Sequence, residues 1–119
     1  MLTKEQILAA QDRKQVNVPV PEWGGDITIQ EMSGAQRDAL DGLMASRYDH
    51  KNNRMMSTKD LRAKMVILSV VNQDGTPMFT DKDMKDIGEK SGNVLDRLVI
   101  AINKLNGLDD ETKEDTAGN

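Results

Sequence analysis

The spacing of apolar positions separates an alternating segment near the start of the chain from helical segments on either side of it. Val16, Val18 and Val20 alternate with Asn17 and Pro19, and Ile27 and Ile29 alternate with Asp26, Thr28 and Gln30. A period of two puts successive side chains on opposite faces of a strand. Because Pro21-Glu22-Trp23-Gly24-Gly25 between the two runs suits a turn, they predict a β-hairpin. Pro19 has no N–H to donate to a ladder, so the first strand is expected at a sheet edge.

Elsewhere the period is helical. Thr3 with Gln6 spells a capping box, predicting a short helix over Lys4 to Gln11 whose only strong apolar contacts are Ile7 and Leu8. Ser33 with Gln36 spells a second, followed by Ala35, Ala39, Leu40, Leu43, Met44 and Tyr48 on one face of a helix of about four turns, weakened at Gly42. Asp49 to Met56 carries no periodicity and reads as a loop, with Ser57 capping the next helix. There Leu61, Met65 and Leu68 form a stripe that Val66, Ile67, Val70 and Val71 widen, which marks the central, most buried helix. The β-branched pair Val70-Val71 would also suit a strand, but the spacing before it favours a helix ending there.

Asn72 to Gly75 is a turn, and Pro77 predicts extended backbone over Thr76 to Phe79. Thr80 with Asp83 starts a short helix carrying Met84 and Ile87 and stopping near Gly88. Ser91 caps the last long helix, with Leu95, Leu98, Val99, Ile102 and Leu105 three and four apart and Asn106-Gly107 as its stop. The pattern predicts an α+β fold, mainly α: a hairpin over about 15–30, then a bundle of three to four helices, in one domain spanning 1–108. No internal repeat is present.

Composition narrows the chemistry. The 119 residues contain one Trp, one Tyr, one Phe and eight Met, so the core must be aliphatic. There is no Cys and only one His, which removes disulfides, thiolate nucleophiles and imidazole-rich metal sites. Of the net charge of −4, all falls on residues 109–119, where Asp109, Asp110, Glu111, Glu114 and Asp115 face one base, Lys113. That acidic tail is too polar to bury and is expected to be disordered. The remaining 108 residues carry 15 charges of each sign, so no global field steers the body toward nucleic acid or an anionic membrane. No apolar run has the length of a signal peptide or a transmembrane helix.

No catalytic constellation emerges. His50 lies among charges in the least structured loop, as a solvated side chain would. Asp38 and Asp41 share a helix face opposite the apolar stripe. Asp81, Asp83 and Asp86 fail the calcium-loop pattern, with Lys85, Asp86 and Gly92 at its fifth, sixth and twelfth positions, and suit a helix start instead. Gly88-Glu89-Lys90-Ser91 breaks the Gly-Lys-Ser adjacency of a phosphate loop. The expectation is a protein with no enzymatic activity, cofactor or metal, and with neither nucleic acid, membrane nor small-molecule substrate as partner.

Three features suit protein binding. Arg47, Lys51, Arg54, Lys59, Arg62 and Lys64 outnumber Asp49 and Asp60, giving about +4 over 47–64, either as solvated surface or as an anchor for an acidic partner such as a neighbouring subunit's tail. Met55 and Met56 sit together in a polar loop that does not need them for packing, and methionine suits adaptable contacts. Trp23, at the hairpin tip, either folds back over its own hairpin or anchors a neighbour.

The string Val16-Asn17-Val18-Pro19-Val20-Pro21-Glu22-Trp23-Gly24-Gly25-Asp26-Ile27-Thr28-Ile29, followed by Met32-Ser33-Gly34-Ala35-Gln36-Arg37-Asp38, resembles the opening of tail assembly chaperones from long, non-contractile-tailed (lambda-like, siphovirus) bacteriophages. Leu68 to Thr80, Ile87 to Ser91 and Leu105 to Leu108 are similar to that family in order and spacing, with Pro-Glu-Trp-Gly-Gly the most specific block. The resemblance implies a non-enzymatic protein of the host cytoplasm, absent from the virion. Such a chaperone binds the tape measure protein, keeps it soluble and recruits tail tube subunits that displace it. Many members also have a frameshifted, extended form, of which this chain would be the short version. Within that frame the hairpin with Trp23 is expected to mediate self-association, and Met55 and Met56 with Arg47 and Arg54 to contact client or neighbour. The competing readings are a structural tail or connector protein of the virion, and a small nucleic-acid-binding protein using 47–64.

Overall fold

A computed structural model describes residues 1–109. The hairpin forms as its alternation predicts. Strand β1 (Gln15–Val20) pairs antiparallel with β2 (Gly25–Gln30), with Val18 opposite Ile27 and Val16 opposite Ile29. A 3-10 turn, Pro21–Trp23, joins them and ends at Gly24, whose φ of 84° lies in the left-handed region that glycine enters without a Cβ clash. Among the described residues β1 has β2 as its one sheet neighbour, so it is an edge, consistent with Pro19.

The third strand corrects the sequence reading. Helix α3 (Leu61–Ser69) stops at Ser69, and Val70–Val71 forms β5, pairing Val70 with Ile29 and Val71 with Thr28. Two facts favour strand here. Branching at Cβ restricts χ1 against the preceding helical turn, and the unpaired edge of β2 offers hydrogen bonds that only extended backbone can meet. Pro77 then bridges to Val71 and Met78 N donates to Val70 O, so the expected extended segment lies along β5.

The helices follow their signals with three shifts. Helix α1 (Lys4–Ala9) has both capping-box bonds of Thr3 and Gln6 but ends before Gln11, and none of its residues is buried. Ile7 and Leu8, expected to make its apolar contacts, are 57% and 74% exposed. Helix α2 (Gly34–Ser46) is capped by Ser33 and Gln36, yet of its predicted face only Leu40 is buried and Leu43 partly so; Ala35, Ala39 and Met44 are exposed. Tyr48 lies outside it. Finally, α3 begins at Leu61 rather than beside Ser57, after Asp60 adopts φ 68°. Ser57 Oγ accepts only the Lys59 N–H, in a local turn.

Thr80 and Asp83 cap the 3-10 turn Asp81–Asp83, which runs into α4 (Met84–Gly88). Ser91 caps α5 (Gly92–Leu105) and Gly107, at φ 70°, follows its end. Helix α3 contributes Ala63, Met65, Val66 and Ile67 to the core and packs on α5 through its stripe of Val94, Leu95, Leu98 and Ile102. Val20, Ile29 and Met32 close the core from the hairpin side. At the far end of α5, Asn106 Oδ1 accepts the Met32 N–H at 2.9 Å and its amide donates to Ile102 O at 2.8 Å, which fixes α5 against the junction of β2 and α2. The acidic stretch predicted to be disordered lies, beyond Asp109, outside the described residues.

Candidate functional site

The hairpin tip folds onto the helical body. Pro21 sets the backbone of the 3-10 turn and Gly24 reverses it, which brings Glu22 to α5: Arg97 Nη2 donates to Glu22 Oε1 at 2.7 Å. That hydrogen bond, aided by the positive charge, holds the Glu22 carboxyl below the usual glutamate range. Both side chains are about half exposed, so the pair positions the tip more than it stabilises the fold.

The 3-10 turn leaves Trp23 40% exposed along one wall of a groove. Val66 of α3 and Ile87 of α4, both core residues, form its floor with Phe79, and Asp83, Asp86 and Lys90 stand at its rim. Its volume is about 520 Å³. A groove with an apolar floor, an indole wall and a charged rim is suited to an amphipathic helix, which offers apolar residues on one face and polar ones beside them. Trp23 was singled out as a tip residue, but the groove was not legible. Its lining comes from four separate elements.

Arg47, Arg54, Met55 and Met56 come together elsewhere. The segment read as a loop contains a small hairpin, β3 (Tyr48–Asp49) with β4 (Arg54–Met55). Its turn is organised by Asp49, whose carboxylate accepts from Asn52 Nδ2 at 2.7 Å, Lys51 N at 3.0 Å and Asn52 N at 3.3 Å. These bonds, with the Asn52 amide foremost, hold its carboxyl below the usual aspartate range. Asn53, at φ 53°, completes the reversal, and Tyr48 Oη donates to its side chain. Missing from the sequence reading was this Asx turn, since two strands of two residues leave no measurable period. Met56 N donates to Arg47 O at 2.7 Å, so Arg47 lies beside the methionines. Arg54, Met55 and Met56 are exposed, as is Met44 on α2, while Arg47 is half-buried. This surface shares no residue with the Trp23 groove.

The +4 stretch is partly neutralised by the fold. Arg62 Nε pairs with Asp96 at 2.6 Å and Lys64 Nζ with Asp81 at 2.9 Å. His50 is exposed, its ring 4.9 Å from that of Tyr48 in an edge arrangement. Asp38 and Asp41 face solvent. Asp83 accepts the Thr80 N–H at 2.9 Å, so the acids around 81–86 work at a helix start and in an ion pair. Among the described residues no cluster of three or more His, Cys, Asp or Glu could hold a metal ion, and no helix is long and apolar enough to cross a membrane.

A search of curated proteins finds no match. Among solved structures, the tail assembly chaperone of bacteriophage HK97 superposes with a TM-score of 0.59 at 22% identity, covering 85% of this chain and 90% of that one. At that identity the likeness shows a shared fold. The family model for phage tail assembly chaperones matches residues 3–118. Since that match spans nearly the whole sequence, the chain belongs to the phage tail assembly chaperone family.

Proposed function

We propose that the chain binds the tape measure protein in the host cytoplasm, keeps it soluble and recruits tail tube subunits to it, leaving before the virion is complete. Membership of the tail assembly chaperone family carries this reading. The exposed Met44, Met55 and Met56 support it, because their unbranched side chains can adapt to varied contacts along a long client. In this reading Trp23 serves self-association, and Arg47 and Arg54 with the methionines face client or neighbour. No reaction is required, and the role is that of a chaperone.

Co-expression with the tape measure protein tests it. The client is expected to move from the pellet to the soluble fraction and to co-purify with the chaperone, while mass spectrometry of finished particles finds no chaperone. A client that stays insoluble refutes the reading; stoichiometric chaperone in particles favours a virion component instead. The nucleic-acid alternative loses ground because Arg62 and Lys64 are engaged by Asp96 and Asp81.

A further inference from the structure

Among the described residues, helix α1 buries no side chain against the body. It is six residues long, and isolated helices shorter than about 12 to 15 residues are marginal in water, so a capping box alone cannot sustain it. Its apolar residues have a common face to offer. Leu2 and Ile7 flank the Thr3 cap at the two positions whose side chains meet across a helix start, with Leu8 beside them, and all three are exposed. The Trp23 groove is the complementary case, an apolar hollow that none of the described residues fills.

We propose that the groove of one copy receives α1 of a second copy of this chain. The inference rests on the self-association reading of Trp23 above and names its partner.

Reach decides between the same copy and another. Arg13 Nη1 donates to Gln36 Oε1 at 3.1 Å, and Lys14 is tied to Glu31 by two hydrogen bonds, so the free arm ends at Asp12. From there β1 runs from Gln15 to Val20, about 17 Å at roughly 3.4 Å per residue, and Trp23 lies past its far end. Ala10 to Asp12 can span only about 10 Å. With Arg13 pinned, the arm cannot lay Ile7 and Leu8 against its own Trp23.

Charge agrees with the pairing. Lys4 matches the Asp83 and Asp86 carboxylates at the rim, and neighbouring Glu5 matches Lys90. Arm and groove are different surfaces, so the contact is heterologous, and each copy carries one of each.

Two full-length variants test this by complementation. One carries Ile7→Asp with Leu8→Asp and keeps an intact groove; the other carries Trp23→Ala with Asp86→Lys and keeps an intact arm. By light scattering the unmodified chain is expected to gain mass with concentration and each variant alone to remain at monomer mass. Mixed one to one, the variants should give twice that mass and nothing larger. Because the second variant contains no Trp, a blue shift of fluorescence on mixing reports only the intact groove being filled. Should the second variant fail to fold by circular dichroism, Lys4→Glu and Asp86→Lys provide a charge reversal in which each alone weakens association and the pair together restores it.

An unmodified chain that is monomeric throughout overturns the proposal. So does an Ile7→Asp, Leu8→Asp chain of undiminished mass, or a mixture that stays monomeric. Tape measure co-purification is scored separately. A monomer that still solubilises the client refutes the arm contact alone, and an assembling chain that leaves it insoluble refutes the chaperone reading alone.

Discussion

Leu98 and Leu8 are the same residue in opposite situations, and comparing their removal measures how the chain divides into body and arm. Leu98 is 1% exposed on the face of α5 that meets α3, whereas Leu8 is 74% exposed on α1. Leu98→Ala removes buried methyl groups and leaves a cavity that two packed helices can close only partly, a change that costs about 3 kcal/mol. Against a total stability of roughly 5 to 15 kcal/mol this is a large fraction. It should lower the melting temperature by about 12 °C, at roughly 4 °C per kcal/mol for a chain of this length. With a urea slope near 2 kcal/mol/M, the midpoint falls by about 1.5 M. Leu8→Ala, measured at a concentration where the chain is monomeric, should stay within about 0.5 kcal/mol of the unmodified chain. Urea titration followed by circular dichroism at 222 nm, a far-ultraviolet helix signal, reads both. If Leu8→Ala cost more than about 1 kcal/mol, α1 would have to pack on its own body, and the account of a free arm would be wrong.

Ser33→Ala removes the acceptor for the Gln36 N–H and half of the capping box of α2, so thermal melts should show a loss of about 1 kcal/mol; no change would mean that water caps α2 as well. Gly24→Ala meets no atom within 4 Å but must hold φ 84°, a strain of about 1 to 2 kcal/mol that should appear as reduced stability together with altered Trp23 emission. Glu22 has its carboxyl held below its ordinary value in the folded chain by the Arg97 hydrogen bond, so its contribution is complete above that ordinary value and is lost as pH falls through the lower folded value. Glu22→Gln should therefore be less stable than the unmodified chain at neutral pH, with the two urea midpoints converging in acid. A difference that persists at about pH 2 would assign the effect to something other than ionisation.

The sequence reading succeeded where the signal was local and failed where a distant partner decided. Capping boxes at Thr3, Ser33 and Thr80 use residues three apart, and each formed. The hairpin needed only alternation and a Pro- and Gly-rich turn. Val70 and Val71 were different, because their strand exists through the edge of β2, some forty residues earlier. Helical spacing before them could not report that edge. Much of the predicted α2 face is exposed for a related reason: Ala35, Ala39 and Met44 carry the right period, but only Leu40 and Leu43 find a neighbour to pack against. Arg47, Arg54, Met55 and Met56 were grouped correctly because they are close in sequence. The groove, whose lining spans residues 23 to 90, had no sequence signature beyond one exposed tryptophan.

Val70 follows Ser69 without an intervening loop, so the last turn of the most buried helix and the third strand share one joint with no slack. Opening the sheet at β5 must pull on α3, and loosening α3 must strip hydrogen bonds from β2. Such a joint leaves few ways for part of the body to open alone, which favours a single cooperative unit with uniform amide protection across β2, α3 and α5. Exchange at the amides of α1, which has no such joint, should be fast in the monomer. The molecule is in this sense a stiff block with one yielding handle, so contacts made through the handle can form and release without disturbing the block.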